Sequence, residues 1–439
     1  MIGKGRAFCA GGDVAAVVRD ISGGRPFSFT VIVPCNWKLG AEYFWNEFTL
    51  NYLMATYSKT QVSILNGIVM GGGAGASIHG RFRVATENSV FAMPETALGL
   101  FPDVGASYYL SRLPGFFVSS SQVLEKADLS SFIPLQSFQE ELTPIFQEKP
   151  RLCAQTPTNN NIRLLLTSTQ VLLQNDPKTP QNPHLIFQHQ HCPFQHVNRH
   201  KICNYLHIGD GRYVQTMREL DFIGEYVGLT GARLDGAEML ACGLATHFVP
   251  SERLTSLEEA LHKVDSGDSM VVSAIIEEFS LLPTLKEKSA YHRLDIIDRC
   301  FSRRTIEEIL SALESEAEKS KDDWLSLTIQ ALKKASPTSL KISLRSIREG
   351  RLQGVGQCLV REYRMVCCVM RGKVSKDFFE GCRALLLDKD KNPKWEPSRL
   401  DLITDSMVDS YFSKVDDDNW RDLKLPARSN LPVHAIAKL

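Results

Sequence analysis

Between Gln61 and Asp103 the chain switches its hydrophobic period several times in quick succession, and few architectures can accommodate that. Gln61-Val62-Ser63-Ile64-Leu65 has the apolar character of a short buried strand. Asn66-Gly67 supplies a turn, and Gly71-Gly72-Gly73-Ala74-Gly75 opens a helix running to about His79. Arg81 to Thr86 reads as a further strand, Glu87-Asn88-Ser89 as a turn, and Val90-Phe91-Ala92-Met93 as another strand. Pro94 ends that strand because it cannot donate to a ladder. Strand, helix and strand in such short order indicate an α/β fold. They also leave Glu95 displayed at a strand end, with Asp103 eight positions later in Phe101-Pro102-Asp103-Val104-Gly105.

The chain has room for more than this core. Its 439 residues and 43% hydrophobic content suffice for two or three domains. Lys plus Arg and Asp plus Glu each number 50, so a net charge of +0 gives no electrostatic footprint for nucleic acid or an anionic membrane. A local basic pocket for one phosphorylated molecule is compatible with that balance. No apolar stretch approaches the roughly 20 residues of a membrane span. Met1-Ile2-Gly3-Lys4 leads into no signal-peptide core. Eleven cysteines without framework spacing, including adjacent Cys367 and Cys368, suit reduced thiols inside a cell, and no structural disulfide is expected.

From Val118 to Ile223 the composition turns to Gln, Asn, Pro and His, with glycine only at Gly209 and Gly211. Such a stretch buries too little apolar surface to order itself, so it reads as a long, disordered insertion relieved at most by a brief helix over Arg163 to Leu173. Patterning returns at Glu225 to Gly231. A helix follows from Asp235 to Cys242, stopped by Gly243, and His247 to Pro250 reads as a closing strand or turn. Beyond about Ser273 the text is helical. Thr305 to Lys321 aligns Ile306, Ile309, Leu310 and Leu313, and Ser336-Pro337 starts a helix carrying Leu340, Leu344 and Ile347. The organisation is therefore a core over 1–117, the insertion over 118–223, more core over 224–300 and a helical region over 301–439.

Two glycine-rich segments, Ala10-Gly11-Gly12-Asp13 and the Gly71 to Gly75 run, can each present backbone amides, and an oxyanion site needs donors converging from separate segments. Taken singly, each has a bland explanation. Gly-Gly-Asp is ordinary loop punctuation, Glu95 could be a solvated turn acid, and Asp103 a helix cap. The glycine run lacks the Gly-Lys-Ser/Thr of a phosphate loop and the spacing of a dinucleotide fingerprint, which disfavours nucleotide hydrolysis and nicotinamide chemistry. His184, His189, His191, Cys192, His196, His200, Cys203 and His207 crowd the insertion, yet their spacings fit no zinc module, so no metal is expected.

Several strings together carry a resemblance. Gly5-Arg6-Ala7-Phe8-Cys9-Ala10-Gly11-Gly12-Asp13, Asn66-Gly67-Ile68-Val69-Met70-Gly71-Gly72-Gly73-Ala74-Gly75 and Phe91-Ala92-Met93-Pro94-Glu95 through Gly105 resemble the crotonase superfamily. Gly228 to Leu234, Gly243 to Val249 and Ser336 to Lys341 extend the similarity over most of the chain outside the insertion. The resemblance is closest to the acyl-CoA thioester hydrolase branch in its plant peroxisomal form. It implies a spiral of ββα units with a helical C-terminal lobe, and hydrolysis of 3-hydroxyisobutyryl-CoA in valine catabolism, with coenzyme A as part of the substrate and no separate cofactor. It places the oxyanion hole at the amides of Gly12 and Gly72, substrate contacts at Gly71, Gly73 and Gly75, and catalysis at Glu95 and Asp103. Glu95 would attack the carbonyl or activate water, and Asp103 would hold the substrate hydroxyl or the water. Gly75 stands where hydratases carry a second glutamate, which turns the expectation from hydration to hydrolysis.

Against the family pattern, the chain starts almost inside the Arg-Ala-Phe-Cys motif, so the first strands of the core are expected to be missing, with exposed neighbouring edges. Arg25 to Pro34 are additional. The segment between Phe117 and Gly224 interrupts a normally continuous stretch, as a retained intron or a surface loop would. The alternatives to an active hydrolase are a noncatalytic CoA-binding or unstable truncated product and, less favoured, an enoyl-CoA hydratase or isomerase. Ala437-Lys438-Leu439 is a near variant of the Ser-Lys-Leu tripeptide read by the peroxisomal import receptor, or else a chance ending of a tail. A peroxisomal location is the resulting expectation, and a homo-oligomer is left open.

Overall fold

The computed structural model describes residues 1–21, 37–113, 222–320 and 322–428, and the backbone of four strands between 164 and 219. The additional Arg25 to Pro34, the insertion's histidines other than His207, its Cys192, and the C-terminal Ala437-Lys438-Leu439 lie outside the described residues.

Strand β1 (Ala7–Cys9) is followed by helices α1 (Val14–Ile21) and α2 (Trp37–Ala55). Strands β2 (Val62–Leu65) and β3 (Ile68–Met70) lead into the short helix α3 (Gly72–Ser77), and β4 (Phe82–Ala85) and β5 (Val90–Ala92) follow. Each unit thus consists of two strands and a helical turn, and it gives one strand to each of two sheets. β2 pairs in parallel with β4, Ile64 opposite Val84, and β3 pairs in parallel with β5, Val69 opposite Phe91. The next unit adds Leu234–Asp235 to β5 and His247–Phe248 to β4. This stepping is the spiral that the resemblance implied. β3 itself went unread in the sequence, because three residues between a turn and a glycine run carry no measurable alternation.

β4 is wholly buried and β2 and β5 mostly so, and a polar side chain there is matched with backbone acceptors. Arg83, in the middle of β4, donates to the carbonyls of Leu244, Gly80 and Gly243 at 2.7, 2.8 and 3.0 Å, tying the second unit to the third. Ile64, Phe82, Val84, Val249, Leu254, Leu257, Val272 and Ile276 form the core beneath this sheet. The edge expected to be open at β2 meets the chain's first residues. Ile2 bridges Ile64 in parallel, and the Met1 carbonyl accepts from the Ile64 amide at 2.8 Å.

The C-terminal helices start and stop where the sequence placed them. Thr305 caps Ile306–Lys319, and Asp235 and Glu238 form a capping box on Gly236–Ala241, after which Gly243 turns at a φ of 73°. Ser336 caps Pro337–Gly350 and also donates to Asp377 at 2.5 Å. Val355–Arg371 packs along α2, where the Tyr363 ring meets the edges of Trp45 and Phe48 at 5.4 and 6.5 Å. Residues 1–117 and 221–439 make one compact unit, so the helical region expected from 301 onward is not separate from the strands.

The second unit covers residues 118–220, ending before the expected boundary because Ile223 already begins the buried helix Ile223–Thr230. Its described backbone is a four-stranded antiparallel sheet of Leu164–Leu165, Gln170–Gln174, Lys201–Ile208 and Arg212–Glu219. The helix expected over Arg163 to Leu173 is therefore replaced by strands. β-branched Val171 favours extended backbone, a propensity that the apolar spacing of the leucines concealed.

Candidate active site

The two glycine segments expected to converge do so. β1 pairs with β3, so the turn after Cys9 and the start of α3 emerge side by side. A methyl group placed on Gly11 would lie 3.7 Å from the Gly72 amide nitrogen, and one on Gly72 would lie 3.5 Å from the Gly12 nitrogen. The Gly72 amide is in the first turn of α3, where backbone donors have no partner within the helix. Asp13 accepts from the Ala16 amide at 2.9 Å, which caps the start of α1.

Glu95 and Asp103 are both buried, with 5% and 4% of their surface exposed. Pro94 ends β5, and Glu95 opens a single helical turn, Glu95–Leu98, closed by Gly99 at a φ of 74°. Glu95 Oε1 would lie 3.2 Å from a methyl group on Gly71, and its Oε2 is buried with no hydrogen-bond partner among the described residues. Removal from water pushes the Glu95 carboxyl up to about 8, and the Glu47 carboxylate adds to the rise. Asp103 is raised well above the usual carboxylate range, first by burial and then by Glu47, Glu95 and Glu362.

Two residues of this constellation escaped the sequence reading. Glu47 projects from α2 toward Gly72, where its Oε1 would lie 2.5 Å from an added methyl group, and burial pushes its carboxyl up to about 7. Tyr43, one turn earlier, lays its hydroxyl over Gly12. Their i, i+4 spacing was a usable signal, but it was masked by an amphipathic helix in which an exposed glutamate is commonplace. Together the site holds three buried acids that raise one another's proton affinity, two facing glycine amides and a phenol pushed up to about 12 by burial and by Glu47. Such a set can polarise a carbonyl, supply a nucleophile or base and return a proton.

The three glycines expected to touch substrate divide into two kinds. Gly71 faces Glu95, whereas Gly73 lies against the Cys9 carbonyl and Gly75 against Val104 and Asn51, so the latter two are close-packing positions. A methyl group on Gly75 would sit 2.6 Å from Val104 Cβ and 2.8 Å from Asn51 Nδ2. Gly75→Ala should therefore lower stability by about 1 to 3 kcal/mol, as overpacking does, and should reduce turnover by displacing the turn after Asp103. Thermal melting and kinetics of that variant check both effects. Melting and kcat equal to the parent would show that the contact yields freely. A glutamate at this position has no room.

The spiral of paired strands, with buried acids and converging glycine amides, belongs to the enoyl-CoA hydratase/isomerase family, whose model matches residues 1–124 and 205–412. The chain is 54% identical over 437 residues to 3-hydroxyisobutyryl-CoA hydrolase 1 of Arabidopsis thaliana, covering 100% of this chain and 84% of that protein. It is 31% identical over 423 residues to the mitochondrial 3-hydroxyisobutyryl-CoA hydrolase of Rattus norvegicus, covering 96% and 77%. Among solved structures, a carnitinyl-CoA dehydratase from Mycobacterium thermoresistibile superposes with a TM-score of 0.62 at 23% identity, over 97% of this chain and 84% of that one. At that identity the likeness speaks for the fold alone. The family match leaves out residues 125–204, within the segment that the sequence set apart.

Proposed function

We propose that this chain hydrolyses the thioester of 3-hydroxyisobutyryl-CoA, releasing 3-hydroxyisobutyrate and coenzyme A in valine catabolism. The observation that carries the reading is the buried Glu95 against Gly71, where the Gly12 and Gly72 loops face each other, with buried Asp103 close enough to perturb Glu95's neighbour Glu47 and the Tyr43 phenol over Gly12. In this reading the amides of Gly12 and Gly72 polarise the thioester carbonyl and stabilise the oxyanion. Glu95, as carboxylate, attacks that carbon or deprotonates water, and Asp103 binds the substrate hydroxyl or the water. The relatives named as hydrolases of this thioester support the choice of substrate, and the packed Gly75 weighs against hydration. The Ala437-Lys438-Leu439 ending supports delivery by the peroxisomal import receptor.

Thiol release from 3-hydroxyisobutyryl-CoA, with crotonyl-CoA hydration as comparison, tests the reading on the full chain and on one lacking Val118 to Leu220. Turnover of crotonyl-CoA with no thiol release would replace it with a hydratase, and no reaction with either substrate by either form would remove catalysis altogether. The pH dependence follows from the acids. Glu95 works as the carboxylate, and its carboxyl lies at about 8 beside Glu47 at about 7. Because the two titrate together, kcat/KM should climb by about tenfold per pH unit on the acid side and level off only near the upper of these values. A profile already flat at pH 5.5 would contradict a buried glutamate as the working base.

A further inference from the structure

Glu362 is a fully buried carboxylate on the helix Val355–Arg371, far along the chain from the acids above. One of its oxygens accepts from the Gly105 amide at 2.7 Å, and the other from the Ser107 amide at 3.0 Å and the Ser107 hydroxyl at 2.5 Å. It forms no ion pair among the described residues. The segment it grips is the turn that carries Asp103. Val104 sits at a φ of 54°, a left-handed conformation that a β-branched residue adopts only under constraint, at a cost of about 1 to 3 kcal/mol. On the other side of the turn, His79 Nε2 is 2.8 Å from the Val104 carbonyl. A carbonyl only accepts, so Nε2 carries the proton. The turn is thus clamped at residues 104, 105 and 107, just beyond Asp103.

Merely closing the first turn of Ala106–Tyr109 would need only a neutral acceptor. A buried carboxyl beside Asp103 is costly: burial raises Glu362 above the usual carboxylate range, against the hydrogen bonds from Gly105 and Ser107 and the nearby Arg361, and its charge raises Asp103 in turn. It has a return if the two oxygens, each fixed by a donor, define where the turn lies. We propose that Glu362 is a positioning residue for Asp103: it holds the Gly105 and Ser107 amides so that Val104 keeps its constrained conformation and Asp103 faces the glycine-lined site. This rests on the hydrolase reading, and it makes the C-terminal helical lobe part of the catalytic device.

The test is Glu362→Gln in the full-length chain, assayed for 3-hydroxyisobutyryl-CoA hydrolysis, with hydrogen exchange of the peptide spanning 103–109 measured on the same sample. A shift of the order of an ångström at a catalytic group costs about 10²-fold. The expected result is therefore a kcat lower by about that factor with KM within about threefold, and faster exchange confined to that peptide. Ser107→Ala, which removes one of the three donors and spares the amides, should lose about 3- to 10-fold in kcat. A Glu362→Gln enzyme that melts earlier yet keeps kcat within about threefold would assign Glu362 to stability alone and overturn the proposal. If Glu362→Gln does not fold, Ser107→Ala decides, and unchanged kcat and exchange there would overturn it. If the parent releases no thiol, the hydrolase reading fails separately. The exchange pattern alone then judges whether Glu362 holds the turn.

Discussion

Glu95→Gln is expected to lower kcat for 3-hydroxyisobutyryl-CoA hydrolysis by about 10³-fold while leaving KM within about threefold. Glutamine keeps the shape of the side chain and its place against Gly71, but its amide can neither attack a thioester carbon nor take a proton from water. The Gly12 and Gly72 amides survive in the variant, so residual turnover reports what carbonyl polarisation does alone. Thiol release followed over the full pH range settles the matter, and a variant within about tenfold of the parent would remove Glu95 from the chemistry. The same substitution should stabilise the fold. The Glu95 carboxyl lies at about 8 in the folded chain against an ordinary value of 4.5, so its contribution is complete below pH 4.5 and is lost as pH rises through 8. Melting temperatures of parent and variant should therefore coincide in acid and separate in favour of the variant toward alkaline pH. An inactive but more stable enzyme is the signature of a carboxylate kept in place for reaction.

Asp103→Asn is expected to cost about 10²-fold in kcat. Asp103 is held well above the usual carboxylate range by burial and by Glu47, Glu95 and Glu362, which favours its protonated, hydrogen-bond-donating form. Asparagine donates a hydrogen bond from the same place but has no proton to give up. Comparing 3-hydroxyisobutyryl-CoA with isobutyryl-CoA separates the two roles left open for this acid. If Asp103 holds the substrate hydroxyl, only the first substrate suffers; if it holds the water, both do. Unchanged turnover of both would leave Asp103 as a structural acid of the turn.

The readable parts of this chain were those governed by local rules. The caps at Asp235, Thr305 and Ser336 and the stop at Gly243 follow from groups that must be satisfied within a few residues. The end of β5 at Pro94, which exposes Glu95, is equally local, since a missing amide breaks the ladder where it occurs. Glu47 and Glu362 could not be found that way. Each is an ordinary glutamate on an amphipathic helix until a strand turn arrives from elsewhere to face it. The close packing around Gly73 and Gly75 was hidden for the same reason, because what a glycine faces is decided by the neighbour that packs against it.

The sequence alone determined the strand-and-helix alternation of the core, the caps of several helices, the family and the choice of Glu95 and Asp103 as candidate acids, because backbone geometry and hydrogen-bond satisfaction act over short separations. The folded chain alone decided that the Gly12 and Gly72 loops face each other, that Glu47 joins Glu95 and Asp103, and that a helix from the C-terminal lobe clamps the Asp103 turn. Burial and charge proximity are properties of space. They set the proton affinities on which the chemistry depends only after distant segments have packed together.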